Sequence, residues 1–526
     1  MNDSSFSAGP VAATTSGYVR GSVDAELGIR TWKGVPFGAD TAGPARFRSP
    51  EPAPGWYGVR ECTTYGPPAP QPTYSWTDRI IGAEDCLHLD VVRPDTEEEL
   101  PVVVYFHGGS FIMGASHEEM LRGFNLATSM DVVYVSVNFR LGALGYLDLR
   151  SLGGESAANP ALLDQLLALD WVHDNIDSFG GDPHNVTIMG ESAGGASVIA
   201  LMCVPSAFGL YHRAIAQSPP ISLLHSTAQS TLWARELVYR MALPRQTTVD
   251  ALRRENAADL VRAGQSMMWG SGELIYLNSC YGPTVDGTVL PDHPLTMFHN
   301  GEQAQVPLLL GTNLDEASFS KFFYLRASAR SRAALRLLSA FDPVNAADVL
   351  DVYDGAVSRA DFAEMLADAV FWAPAVQTAA AHAATSPTWM YRFDYAPAAL
   401  RWLGLGAMHS LELSAVFGAP EASRARNLSR WGGLDGLPEI TEQMQSHWSN
   451  FIHHGNPGGQ WPAYQAGTPD EPRRATKIFD VDTTVEYDPK SEKRRAWYDY
   501  DMLEWGTGRP ELLAELGLAD DDPWWY

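Results

Sequence analysis

The chain is poor in cysteine. Its 526 residues hold four, Cys62, Cys86, Cys203 and Cys280, too few and too scattered for a disulfide framework or a zinc knuckle. Basic residues are also scarce: 37 Lys and Arg stand against 63 Asp and Glu, a net charge of −26. Phosphate backbones and anionic lipid repel such a surface, so nucleic acid and membrane are excluded as partners and the charge reads as a solubility device. A long apolar run is missing too. The longest nearly uncharged stretch, residues 192–211 (SAGGASVIALMCVPSAFGLY), carries Pro205 and three glycines, which suits buried helix and loop better than a membrane span. The N-terminal MNDSSFSAGPVAATTSGYV has no basic start followed by an apolar core, so no secretory signal is read and a cytoplasmic location is expected. No Pro-, Gly- or Ser-rich linker and no internal repeat divides the chain. Residues 1–526 are expected to form one domain, as a monomer or small homo-oligomer.

What is present is a strand–helix alternation. Pro101–Phe106 (PVVVYF), Val132–Val137 (VVYVSV), Val186–Met189 (VTIM), Val306–Leu310 (VPLLL) and Trp389–Tyr395 (WMYRFDY) are short, unalternating apolar runs, the pattern of strands buried on both faces. Helical spacing lies between them, as in Leu162–Asn175. The expectation is an α/β fold with a large, mainly parallel central sheet flanked by helices. Residues 227–271 and 328–384, rich in Ala, Leu and Arg at helical spacing, are read as helical insertions capping it.

Residues 190–195 read GESAGG, with strand candidate Val186–Gly190 before and helix candidate Ala193–Met202 after. A serine between glycines at a strand-to-helix turn fits the nucleophile elbow. The turn forces strained angles on Ser192, and Gly190 and Gly194 remove the side chains that would collide there. The helix that follows aims its N-terminal amides at the serine. Alone, the motif is equally consistent with a helix-capping serine. A second motif changes the balance. Residues 105–111, YFHGGSF, follow the strand at Pro101–Phe106, and such a glycine loop offers backbone N–H groups to an oxyanion. Gly109 and Ser110, with Ala193 after the nucleophile, are the candidate donors, and Gly108 supplies the bend. His107, within this loop, is read as structural.

Taken together, these stretches resemble the type B carboxylesterase and cholinesterase family of α/β-hydrolases. The resemblance runs from about Tyr18 to Asp499, through GVPFG (34–38), EDCLHLDV (84–91), FHGGSF (106–111), VNFRLGALGY (137–146), the long stretch 159–198, QSP (217–219), LGTNLDEASF (310–319), GAMHSLELSAVFG (406–418) and WSNFIHHGNP (448–457). It implies the α/β-hydrolase fold and an ester hydrolase without cofactor or metal, acting on a small-molecule ester.

The fold's chain order is Ser, then acid, then His. Beyond the presumed acid strand lie His382, His409, His447, His453 and His454. His409, between a glycine-rich loop and a helix start, suits a general base, and the resemblance selects it too. For the acid, LGTNLDEASF offers Asp315 and Glu316; the family pattern gives the role to Glu316, with Asp315 supporting the loop. Ala317 stands where the family usually has glycine. Glu191 and Ser218 are implied as polar groups steadying the histidine loop. Relatives often bridge the cysteine of EDCL to a GP-x-CPQ stretch; here that stretch is GPPAPQ (66–71), leaving Cys86 without its usual partner and Cys62 the nearest other thiol in sequence. Trp76, Phe111, Trp269, Phe319, Phe322 and Phe323 are candidates for an apolar wall around the substrate. Two other functions share the motifs: a non-catalytic adhesion or binding protein on the same fold, and a hydrolase of amides, carbamates or thioesters.

Overall fold

The computed structural model describes residues 9–73, 78–270, 279–322, 326–420, 434–467 and 473–502, with side chains throughout except at Trp269 and Gly270. The central sheet has eleven strands in chain order: β1 Ser22–Asp24, β2 Ile29–Pro36, β3 His88–Pro94, β4 Leu100–Phe106, β5 Val133–Val137, β6 Gly181–Glu191, β7 Arg213–Gln217, β8 Leu308–Asn313, β9 Thr388–Phe393, β10 Ala475–Phe479 and β11 Thr484–Tyr487. Their order across the sheet is β11-β10-β9-β8-β7-β6-β4-β5-β3-β2-β1. From β10 to β5 every pairing is parallel, whereas β11 at one margin and β3, β2 and β1 at the other run antiparallel to their neighbours. The five predicted strands are five of the seven in this parallel centre, with Val306–Leu310 shifted to Leu308–Asn313; β7 and β10 were not predicted.

The pleat sorts side chains into two cores. Val102, Val104 and Phe106 of β4 join one cluster with Ala214 and Ala216 of β7 and Leu308 and Leu310 of β8. Val103 and Tyr105, with Ile215 and Leu309, join the other. These central strands are apolar on both faces because each face is roofed by helix. Helices α1 (Pro160–Asn175) and α2 (Ala193–Leu201) roof the first side. The helix Leu437–His454 roofs the second, burying Ile440, Met444, Trp448, Phe451 and Ile452.

The expected insertions are helical. Residues 227–271 contain α3 (Thr227–Arg240) and α4 (Ala257–Gly270). Residues 328–384 contain α5 (Ala327–Phe341), α6 (Arg359–Ala367) and α7 (Ala373–His382). Ser226 opens α3 with a capping box to Gln229, satisfying amides that the first turn leaves unpaired.

Strand order reverses at β4. The chain passes from β4 to β5 on one side and returns to β6 on the other, so the loops after β4 and β6 leave side by side where Phe106 pairs with Gly190. Ligand sites of open α/β sheets form at this kind of switch point. Among the described residues no helix is long and apolar enough to cross a membrane.

Candidate active site

β6 ends at Glu191 and α2 begins at Ala193, leaving Ser192 alone in the turn. Its φ of 57° and ψ of −124° lie in a region L-residues avoid. Backbone bonds hold it there: Ser192 N donates to Gln217 O at 2.9 Å, and Ser192 O accepts from Ala196 N at 2.9 Å. The glycines relieve a different crowding from the one expected. A Cβ on Gly190 would overlap Gly194 O, and one on Gly194 would overlap Phe106 O. These are main-chain atoms, which cannot swing aside as side chains would.

The glycine loop lies directly beneath. A Cβ on Gly108 would come within 2.8 Å of Glu191 O and 3.2 Å of the Ser192 Cβ. Gly109 (φ 116°), Ser110 (54°) and Phe111 (62°) follow in positive φ, so the loop folds back instead of continuing the strand. Ala193 is the first residue of α2, and its N–H has no partner within the helix. His107 is buried, its ring stacked on Phe139 at 4.4 Å and its Nδ1 2.9 Å from Gly108 O. Burial lowers its pKa, so it stays neutral.

Glu316 follows β8, and His409 lies in the loop after β9. His409 Nε2 is 2.8 Å from Ser192 Oγ and Nδ1 is 2.5 Å from Glu316 Oε2. The other Glu316 oxygen accepts from Ser218 Oγ at 2.5 Å and Asn313 N at 2.7 Å. The His409 side chain is 23% exposed and that of Glu316 1%, so the imidazole reaches solvent while the carboxylate is sealed beneath it. Asp315 turns the other way: its Oδ2 accepts from Ala407 N at 3.1 Å and its N donates to Ala407 O at 3.0 Å. Glu191 is buried and accepts from Ser410 Oγ at 2.5 Å, with its Oε1 3.4 Å from His409 Nε2.

Three groups here carried no weight in the sequence. Glu412, fully buried, accepts at Oε2 from Asn313 Nδ2 at 2.6 Å, while its Oε1 has no hydrogen-bond partner among the described residues. Asn313 also donates from Nδ2 to Met408 O at 2.8 Å. It therefore ties the acid loop, the histidine loop and Glu412 together. Phe371 lies against the imidazole, ring centroids 4.8 Å apart. The carboxyl in HSLEL three residues after His409, and the asparagine in TNLDE, were the available signals; their meaning depends on contacts across 99 residues of chain.

The electrostatics follow from this crowding. Burial depresses the His409 pKa, but Glu191, then Glu316 and Glu412, more than offset it, and the pKa is raised to about 9. The Glu412 pKa is raised to about 8, by burial first and by Glu191 and Glu316 next. No group of three His, Cys, Asp or Glu among the described residues is arranged to hold a metal ion.

Of the proposed apolar wall, Phe111 is buried against Tyr146 at 4.6 Å, and Phe319 and Phe322 are exposed. Trp76, Phe323 and the side chain of Trp269 lie outside the described residues. Cys62, Cys86, Cys203 and Cys280 are buried free thiols.

The model of the carboxylesterase family matches residues 8–497. The chain is 36% identical over 498 residues to the para-nitrobenzyl esterase of Bacillus subtilis (strain 168), covering 92% of this chain and 98% of that protein. It is 30% identical over 485 residues to the phenmedipham hydrolase of Pseudarthrobacter oxydans, covering 88% and 94%. A solved structure of a PNB esterase superposes with a TM-score of 0.83 at 35% identity, covering 93% of this chain and 99% of that one. A Geobacillus stearothermophilus carboxylesterase gives 0.79 at 32%, with the same coverage. The chain belongs to the carboxylesterase family, as a serine carboxylic ester hydrolase on the α/β-hydrolase fold.

Proposed function

We propose that the protein cleaves esters of short-to-medium acyl chains, or aromatic esters, through a Ser192–His409–Glu316 triad and an acyl-enzyme. The observation that carries this reading is the unbroken hydrogen-bonded path from Ser192 Oγ through both imidazole nitrogens to a buried carboxylate.

Ser192 Oγ attacks the ester carbonyl carbon as its proton passes to His409 Nε2. Glu316, bonded at Nδ1, fixes the tautomer and offsets the imidazolium charge. The carbonyl oxygen becomes an oxyanion, received by the amides of Gly109, Ser110 and Ala193, with Gly108 giving the loop its bend. The C–O bond to the alcohol then breaks, and the alcohol leaves with the proton from Nε2. Water, deprotonated by the same nitrogen, attacks the acyl-serine; the acid departs and Ser192 regains its proton. Glu191, through Ser410, and Ser218, through Glu316, steady the base and the acid. Water is the only co-reactant.

The test is hydrolysis of p-nitrophenyl esters of increasing acyl length, with a p-nitrobenzyl ester alongside. The wild type is expected to turn over the shorter members, and Ser192→Ala to lose activity by about 10⁴- to 10⁶-fold while keeping its fold. Activity of Ser192→Ala within tenfold of wild type would overturn the nucleophile.

A further inference from the structure

Between α6 and α7 the chain makes one π turn, Asp368–Trp372, closed by Ala373 N donating to Asp368 O. Such turns are rare and concentrate at functional sites. The local cause is Pro374, the second residue of α7. Proline offers no N–H, and its ring crowds the carbonyl four residues earlier, here that of Val370. The hydroxyl of Ser222 lies 3.4 Å from Ala369 O and 3.5 Å from Val370 O, replacing the missing donor.

The two faces of this turn touch different things. Phe371 packs on the imidazole of His409. Asp368, 1% exposed, faces the other way; its Oδ2 accepts from Tyr353 Oη at 2.7 Å and its Oδ1 from Lys490 Nζ at 2.7 Å. Lys490 also lies 3.2 Å from Glu364 and 5.1 Å from the centre of the Trp372 ring. It precedes α8 (Ser491–Asp499), the last helix among the described residues, and its backbone adopts φ 63°, the left-handed region. Trp497 of that helix donates to Tyr353 Oη at 2.8 Å. A buried ion pair costs desolvation, and its orientation here is over-determined by four contacts from three elements.

We propose that this π turn is a positioning device for the catalytic base: the Lys490–Asp368 pair fixes the turn, and the turn holds Phe371 against His409. The C-terminal helix thereby acts on the active site without reaching it. This rests on the triad reading above. Phe371 and Lys490 are positioning residues; neither exchanges a proton with substrate. The ring of Phe371 limits rotation of the imidazole, and displacement of a reacting group by about 1 Å can cost about 100-fold in rate.

The experiment is a double-mutant cycle on p-nitrophenyl acetate, with melting temperatures recorded for every variant. Phe371→Ala and Lys490→Met are each expected to lower kcat by about tenfold or more, with KM changed less than about threefold. Lys490→Arg is expected to restore most of the loss. In the Phe371→Ala background, Lys490→Met is expected to cost less than about threefold further, because its effect travels through that ring. A melting-temperature loss alone would appear equally in both backgrounds. If Lys490→Met lowers kcat by the same factor in both backgrounds, or leaves the wild-type kcat unchanged, the proposal fails. If Lys490→Met does not fold, Asp368→Asn takes its place under the same criteria. Ser192→Ala is run in parallel: an active variant sinks the triad, whereas an inactive one with a multiplicative cycle sinks only the device.

Discussion

Ser192 is held by backbone, His409 by side chains. The serine is pinned between two main-chain hydrogen bonds and a helix start, with glycines on either side admitting the carbonyls of Gly194 and Phe106. The histidine hangs on a loop anchored by Asn313 and Asp315, by Glu191 through Ser410, and by Phe371, drawn from three separate stretches of chain. Glu316 and Ser192 lie 93 and 217 residues from it. A nucleophile must be presented rigidly at one strained geometry, which local backbone can encode. A base must be held yet accept two protonation states, and that takes groups that answer charge.

That contrast is broken most sharply at the acid. Glu316→Gln is expected to keep the fold and lower kcat/KM by about 10⁴, because an amide stabilises the wrong tautomer and leaves the imidazolium unbalanced. Asp315→Asn, with an oxygen still able to accept from Ala407 N, is expected to cost less than about tenfold. Ester hydrolysis by the two variants decides it: reversed effects would move the acid by one residue.

On the serine side, Gly194→Ala tests whether backbone alone holds the elbow. The added methyl overlaps Phe106 O, so a stability loss of about 1–3 kcal/mol is expected in a urea titration. An unchanged midpoint would show that the elbow has slack.

The charge around His409 sets the pH dependence. In the proposed mechanism His409 works deprotonated, and its pKa is raised to about 9. The rising limb of kcat/KM is therefore expected above the ordinary histidine value of about 6.5, not at it. Glu191 is the largest of the groups raising it, so Glu191→Gln should move the limb to lower pH. A limb that stays in place, or moves up, would contradict that ranking. The smallest effect is expected at Glu412. Its raised pKa favours the neutral form that an amide imitates, and Glu412→Gln keeps the acceptor for Asn313, so it should stay within about fivefold of wild-type kcat. Comparing it with Glu316→Gln by steady-state kinetics separates the two buried carboxyls.

Five of the seven parallel strands were legible because runs such as LPVVVYF are apolar on both faces; β7 and β10, which open on Arg213 and carry Lys477, were not. The antiparallel margins were not. β2 (IRTWKGVP) carries half-buried Arg30 and Lys33, and β3 (HLDVVRP) carries buried Asp90 and Arg93; only the fold shows the buried charges satisfied: Asp90 accepts from Ser116 Oγ and Gly34 N, and Arg93 donates to Phe179 O, Thr96 O and Glu98 O. The Val306–Leu310 strand started early because Pro307 cannot donate to a sheet.

By itself the sequence determined the elbow at Ser192, the glycine loop before it and the strand–helix alternation that brings them together. These depend on neighbours within a few residues, where glycine, β-branched and apolar choices act directly on φ, ψ and burial. Only the tertiary structure decided which carboxyl faces His409, that Glu412 is buried beside Asn313 with a raised pKa, and that Phe371 lies against the imidazole. Those properties come from distance and desolvation among groups far apart in the chain, and neither quantity exists until the sheet has closed around them.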